Sequence, residues 1–453
     1  MPQLASTPRE RDGTDVPAQD ARPARDRGDA CPGALRLHSA DDGALARIRI
    51  PAGLLNAPQA HALAETAARM GDGHVDITSR GNLQLRGLDG QKGAELAARL
   101  DEAELLPSPR HERVRNIVAS PLSGLDGLGH ADVRPWAARL DELLCRSEDA
   151  SRLSGRFLFA LDDGRGDAAG LEADVTLIAL PGRSEALLRV GDGPEGMRVP
   201  AEDAPAAALL AAETFLTAVR ESGSRVWRVS ELPQGREQFT PRLAGRLSSR
   251  GIPARLVTGL STPAGSPPPP GVVDGGAGRC ALSVLAPLGR LTSAQLHRLA
   301  SLAEQFTDAD GGDANGELRM TPWRGVVLPG LPRADAQAGL RQLHDAGLIT
   351  DGASPWLGVS ACTGLPGCAR SHRDVRSDAA RPAAGTPAGT SLLPVHWSGC
   401  ERRCGRPKGD VVDVVAGEDG YTVAVQAEGS TRERPVPDGE LAHAVASARA
   451  ERE

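Results

Sequence analysis

The stretch VDITSRGNLQLRGL, Val75–Leu88, returns later in the chain as LRMTPWRGVVLPGL, Leu318–Leu331. Thr78 falls on Thr321, Gly87 on Gly330 and Leu88 on Leu331, an offset of 243. Upstream, ARIRIPAGLLN (46–56) matches ALSVLAPLGRLT (281–292), with Gly53 on Gly289 and Asn56 on Thr292, an offset of 236. The second copy therefore carries seven extra residues, placed within DADGGDANG (308–316). Self-similarity of this kind decides the architecture: one unit has been duplicated.

Each copy has the same coarse pattern. An alternating stretch leads into a helix: NAPQAHALAETAARMG has Asn56 as cap and Gly71 as stop, and TSAQLHRLASLAEQF has Thr292 and Gln295 at capping-box positions. A strand and a second helix follow (GAELAARLDEAEL; ADAQAGLRQLHDAG). This order predicts an α+β fold with helices on one sheet face. The Pro/Gly/Ser-rich STPAGSPPPPGVVDGGAG (261–278) reads as a linker between the halves. The duplication continues: NIVASPLSGLD (116–126) corresponds to GVSACTGLPGC (358–368), placing Ser120 where the second half has Cys362. LSGRFLFALDD (153–163) corresponds to LPVHWSGCERRC (393–404), with Arg156 opposite His396. The expected organisation is a disordered tail (1–30), a first half-domain (31–108) with its own larger domain (109–260), the linker (261–278), and a second pair (279–350 and 351–446).

Bulk properties narrow the function. The 453-residue chain has a net charge of −7, which gives no basic footprint for nucleic acid. No run of about 18 apolar residues suggests a membrane span. The N-terminus, MPQLASTPRERDGTDVPAQDARPARDRGDA, is polar and lacks an apolar signal-peptide core, so a cytoplasmic chain with reduced thiols is expected. GDGPEG (191–196) matches a dinucleotide fingerprint formally, but MRVP follows it instead of a helix start, so it reads as a hairpin turn.

Four of the seven cysteines fall within 43 positions: CTGLPGC (Cys362, Cys368) and CERRC (Cys400, Cys404). Structural zinc uses C-x2-4-C spacing, which the first pair does not match. Inert buried thiols fit the scattered Cys31, Cys145 and Cys280 better than this cluster. Four thiolates around an iron–sulfur cluster suit the donor set, and Gly364, Gly367, Gly399 and Gly405 allow turns that aim N–H groups at sulfur.

The C-x5-C and C-x3-C pair resembles the cluster signature of the nitrite/sulfite reductase superfamily, over roughly residues 31–445. ITSRGNLQL is similar to that superfamily's T-x-R-x-N-x-Q segment and RNIVASP to its R-N-V segment. The resemblance implies a duplicated fold with ferredoxin-like half-domains, a tetrapyrrole site between the halves, and a [4Fe–4S] cluster on Cys362, Cys368, Cys400 and Cys404. It points to Thr78, Arg80, Asn82, Gln84, Arg115 and Asn116 as ligand-binding positions.

A polycarboxylate macrocycle needs guanidinium forks. Arg47, Arg49, Arg80, Arg86, Arg115 and Arg156 are the candidates; Arg47, Arg49 and Arg80 face Ser283, Leu285 and Trp323 in the second copy, so the fold itself does not demand charge there. Of 52 cationic side chains only Lys92 and Lys408 are lysine, and the P-x-K-F-K segment of sulfite reductases is matched by LSGRFLFAL, with Arg156 and Leu158 at the lysine positions. CPGALRL (31–37), NIVASPLSGLD and VHWSGCERRCGRP resemble the precorrin-3B synthase family. That resemblance implies precorrin-3A as substrate, dioxygen-dependent hydroxylation at C20 with γ-lactone closure, NADH as electron source through a separate reductase, and a mononuclear non-haem iron. His372 and His396 are the histidines near the cluster signature, with His396 read as structural. A sirohaem-dependent sulfite or nitrite reductase is the alternative.

Overall fold

A computed structural model describes residues 29, 31–232, 236–261, 265–306, 316–385, 392–427 and 430–450. The tail expected at 1–30 lies outside the described residues except for Asp29, and so does DADGGDANG except for Gly316.

The two copies are interlaced. One antiparallel sheet runs His38–Ala40, Gly43–Ile48, Leu83–Leu88, His74–Ile77, and then Arg290–Thr292 from the second copy. The other runs Gly271–Gly276, Arg279–Leu285, Gly325–Pro332, Glu317–Met320, and then Leu54–Asn56 from the first. Each sheet is thus completed by a strand of the other copy. The turn before each exchanged strand explains the crossing: Ala52 (φ 55°) and Gly53 (φ 72°) match Leu288 (φ 54°) and Gly289 (φ 74°). A Cβ on Gly53 would lie 1.9 Å from the Met320 carbonyl oxygen, so glycine alone allows the approach. The capping boxes form at both equivalent helices, Ala57–Met70 and Ser293–Gln305. One apolar core joins the copies, with Leu63, Val75 and Leu85 packed in the same cluster as Leu299, Leu318 and Leu328.

Two local expectations need correction. The one strand expected between the two helices of each copy is a hairpin, broken in the first copy at Thr78–Asn82, where Gly81 takes φ +66° and its counterpart Arg324 takes φ +65°. The linker 261–278 contains the strand Gly271–Gly276, whose Val272 and Val273 pair with Leu282 and Ala281.

The larger domains share one design. In the first, Ile117–Ala119, Phe159–Asp162 and Val175–Ala179 run parallel, followed by the antiparallel Glu185–Val190, Gly196–Pro200 and Arg255–Val257. GDGPEG is the turn of that hairpin, as expected. In the second, Val359–Ala361, Val395–Ser398 and Val411–Ala416 are parallel and Tyr421–Ala427 and Ser430–Val436 antiparallel. Among the described residues, no helix is long and apolar enough to cross a membrane.

Candidate functional site

The cysteine loops leave the C-terminal ends of two adjacent parallel strands. Cys362 follows Val359–Ala361, and Cys400 comes two residues after Val395–Ser398. Loops from such neighbouring ends converge. Cys362 donates its N–H to the Trp397 carbonyl at 2.8 Å, and Gly399 N–H donates to Cys362 Sγ at 3.2 Å. Burial pushes the Cys362 thiol up; the N–H groups of Gly399 and Gly364 oppose this, while the charges of Cys404 and Cys400 add to it. Cys368 is tied in through its carbonyl, which accepts from Ser371 N–H, and His372 N–H donates to the Gly399 carbonyl. No Cβ fits at Gly399, where it would lie 1.9 Å from Ser371 Oγ, or at Gly367, where it would lie 2.6 Å from Thr363 Cγ2.

These residues fit a multi-iron cluster better than one ion. All four thiols are free. A single tetrahedral zinc, with bonds of about 2.3 Å, draws its sulfurs to about 3.8 Å apart. Among the described residues, the only trio of His, Cys, Asp or Glu ligand atoms within 4.8 Å of one another is Asp162, Asp163 and Asp167. The buried Ser398 Oγ, at the mouth of the CERRC loop, has no partner.

A mononuclear iron finds no such fit. His396 is buried with Nδ1 2.9 Å from Ser360 Oγ and Nε2 3.1 Å from the Cys404 carbonyl oxygen, so both ring nitrogens brace the loop. Burial pulls it down to about 4. His372 is exposed. The aspartate trio is engaged elsewhere: Arg165 grips Asp163, and Asp162 accepts from the N–H groups of Gly164, Gly166 and Ala169.

The ten first-half positions separate into three groups. Arg47, Arg49, Thr78, Arg80, Asn82 and Arg156 line one cavity of about 550 Å³. Asn116 and Gln84 stand behind it: Asn116 Oδ1 accepts from Asn82 Nδ2 at 2.8 Å, and Gln84 Oε1 accepts from Arg47 at 2.9 Å. Arg86 and Arg115, expected to face the ligand, form bidentate pairs with Asp42 and Asp141 at 2.7–2.9 Å instead. Their guanidiniums are engaged by these carboxylates, and neither lines the cavity. Arg86 also donates to the Gly367 carbonyl, which fastens the first half to the CTGLPGC loop.

The cavity has further members that the sequence did not single out. Arg228 lines it, paired with buried Asp174 at 2.6 Å, and Arg156 stacks over Trp227 at 4.9 Å. Cys31 Sγ accepts from Arg49 at 3.2 Å and more distantly from Arg47. Among the described residues, five arginines thus face one space, with Glu231 as the one lining carboxylate. Burial, then repulsion from Arg228 and Arg49, pulls the Arg80 guanidinium down to about 10, so it stays charged at neutral pH but is crowded. Leu158 is buried among Val118, Ala160 and Ala173 and presents nothing to the cavity. A second cavity of about 350 Å³, between Leu188, Met197, Phe239 and Leu243, is mostly apolar.

The nitrite/sulfite reductase ferredoxin-like half domain matches residues 38–103 and 274–346. The chain is 28% identical over 400 residues to a ferredoxin–nitrite reductase of Synechococcus elongatus, covering 80% of this chain and 74% of that one. It is 27% identical over 400 residues to a precorrin-3B synthase of Sinorhizobium sp, covering 87% and 82%. The fold matches the NirA protein of Mycobacterium tuberculosis with a TM-score of 0.70 at 19% identity, over 90% of this chain and 82% of that one.

Proposed function

Starting from a chain that carries two nitrite/sulfite reductase ferredoxin-like half domains, and whose relatives are oxidoreductases, we propose that it is a precorrin-3B synthase. The reaction is dioxygen-dependent hydroxylation of precorrin-3A at C20 with γ-lactone formation, a step of cobalamin biosynthesis. The observation that carries this reading is the cavity itself: five arginines, no lysine, and a buried leucine at the second lysine position of the sulfite reductase pattern. Such a lining suits a large polycarboxylate better than a small oxyanion, because each guanidinium can grip a carboxylate with two parallel N–H bonds.

The protein's share is binding and orientation. Arg47, Arg49, Arg80, Arg156 and Arg228 hold the substrate's carboxylates, and Gln84 and Asn116 hold Arg47 and Asn82 in place. Fixing the macrocycle converts an encounter into a positioned reaction. Cys362, Cys368, Cys400 and Cys404 would hold a [4Fe–4S] cluster, which supplies single electrons. NADH is the ultimate source, delivered by a separate reductase. The described residues offer no ligand set for a mononuclear iron beside these cysteines, and no step is assigned to one.

The test is turnover of precorrin-3A by cluster-loaded protein under labelled dioxygen, with NADH and a donor reductase. A product carrying one labelled oxygen atom is expected. The similarity to nitrite reductases favours a second reading, a sirohaem-dependent nitrite or sulfite reductase. Tightly bound sirohaem in the purified protein, with no conversion of precorrin-3A, would establish that alternative.

A further inference from the structure

His61 and His297 are separated by 236 positions, the offset that also relates Asn56 to Thr292. They are therefore equivalent residues of the two copies, one on Ala57–Met70 and the other on Ser293–Gln305. The helices pack so that the two Nδ1 atoms face each other at 2.7 Å, with ring centroids 5.0 Å apart. Glu304 Oε1 lies 3.5 Å from His61 Nε2. A carboxylate there favours the proton on Nε2 and leaves Nδ1 as a bare lone pair, the way a carboxylate orients a metal-binding histidine. Glu65, one helical turn beyond His61, places a second negative charge beside His297.

We infer that His61 and His297 form a divalent-cation site, of the zinc class, that clips the two copies together at their pseudo-dyad. Two imidazole nitrogens make a borderline donor pair suited to zinc, with water completing the tetrahedron and Glu304 acting from behind the His61 ring. With bonds of about 2.0–2.1 Å, a tetrahedral ion sets its nitrogens about 3.3 Å apart. The rings need to part by only about 0.6 Å for this. His61 keeps 27% of its side chain exposed, and a cavity of about 530 Å³ opens beside it, so an ion has a path in. The site shares no residue with the cysteine loops or the arginine cavity, and its test is independent of the proposed reaction.

The experiment uses the full chain with its cluster intact, so that the cysteines are not available. Zinc is titrated in competition with a chromogenic chelator against wild type, His61→Gln and His297→Gln, and thermal unfolding is followed with and without zinc. Wild type is expected to take up one zinc more than either variant and to gain melting temperature with zinc where the variants do not. Equal uptake and equal zinc response in all three proteins would leave only a histidine–histidine hydrogen bond and overturn the site. Glutamine keeps side-chain bulk and hydrogen bonding, and matching melting temperatures without zinc verify that the variants fold.

Discussion

Gly399 donates its N–H to Cys362 Sγ across 3.2 Å, joining the loops that follow two neighbouring parallel strands. The same glycine touches Ser371, whose N–H holds the Cys368 carbonyl. Gly399→Ala would force a Cβ to within 1.9 Å of Ser371 Oγ. The overlap separates the loops bearing Cys362, Cys368 and Cys400. Iron and acid-labile sulfide per chain should fall by more than half in protein purified without oxygen. Full cluster content in this variant would contradict the cradle.

Arg80 and Arg86 share one hairpin but should behave differently. Arg80 faces the cavity, and its guanidinium donates to Gly155 O at 3.3 Å. Arg80→Ala should weaken precorrin-3A binding about 10- to 100-fold, the range for a charge-assisted hydrogen bond of about 1.5–3 kcal/mol. The cluster's absorption should not change. Arg86→Ala breaks the buried pair with Asp42 and the bond to Gly367. Asp42, 17% exposed, is left without its partner, which costs less than the about 3–5 kcal/mol of a fully buried charge; the variant's melting temperature and cluster content should still drop. Titration of substrate and thermal scans on both variants separate the two roles. Normal binding by Arg80→Ala would refute the cavity assignment.

The repeat was legible because turn geometry repeats with it: Ala52 and Leu288 both take positive φ, and so do Gly81 and Arg324. The strand exchange was not. Leu54–Asn56 reads locally as an edge strand, and either copy's sheet offers it an equivalent edge. The carboxylate partners of Arg86 and Arg115 were hidden for a related reason: residue type does not reveal that Asp42 and Asp141 face them. Arg228 lies 72 positions beyond Arg156 and outside every repeated segment. Its aromatic neighbour Trp227, in a chain with five tryptophans, was the only available signal.

Cys362 and Cys31 offer a contrast between thiols. Cys362→Ser should lose the cluster and the activity together. Cys31 sits in the arginine cavity, bonded to Arg49. Cys31→Ser should keep full iron and sulfide, with any change confined to substrate affinity. Iron assays on the two variants decide this; loss of iron from Cys31→Ser would make it a cluster ligand and the four-cysteine reading wrong.

Ser120 stands where the second half has Cys362, and its hydroxyl donates to Asp167 Oδ1 at 2.5 Å. The first half closes its counterpart of the cysteine cradle with this bond. Asp167 Oδ2 is buried without a partner. Burial raises the Asp167 carboxyl to about 6, helped by Asp162 and opposed by Ser120. An unfolded aspartate titrates near 3.9. Between these values the folded chain holds a proton that the unfolded chain has released. Stability from this group is therefore complete below about pH 4, declines as pH rises, and is gone above about pH 6. The full loss is on the order of 3 kcal/mol, at 1.36 kcal/mol per pKa unit. Asp167→Asn keeps an acceptor for Ser120 and cannot ionise. Its melting temperature relative to wild type should climb between pH 4 and pH 6.5 and then level. A difference independent of pH across that window would show that Asp167 is ionised throughout.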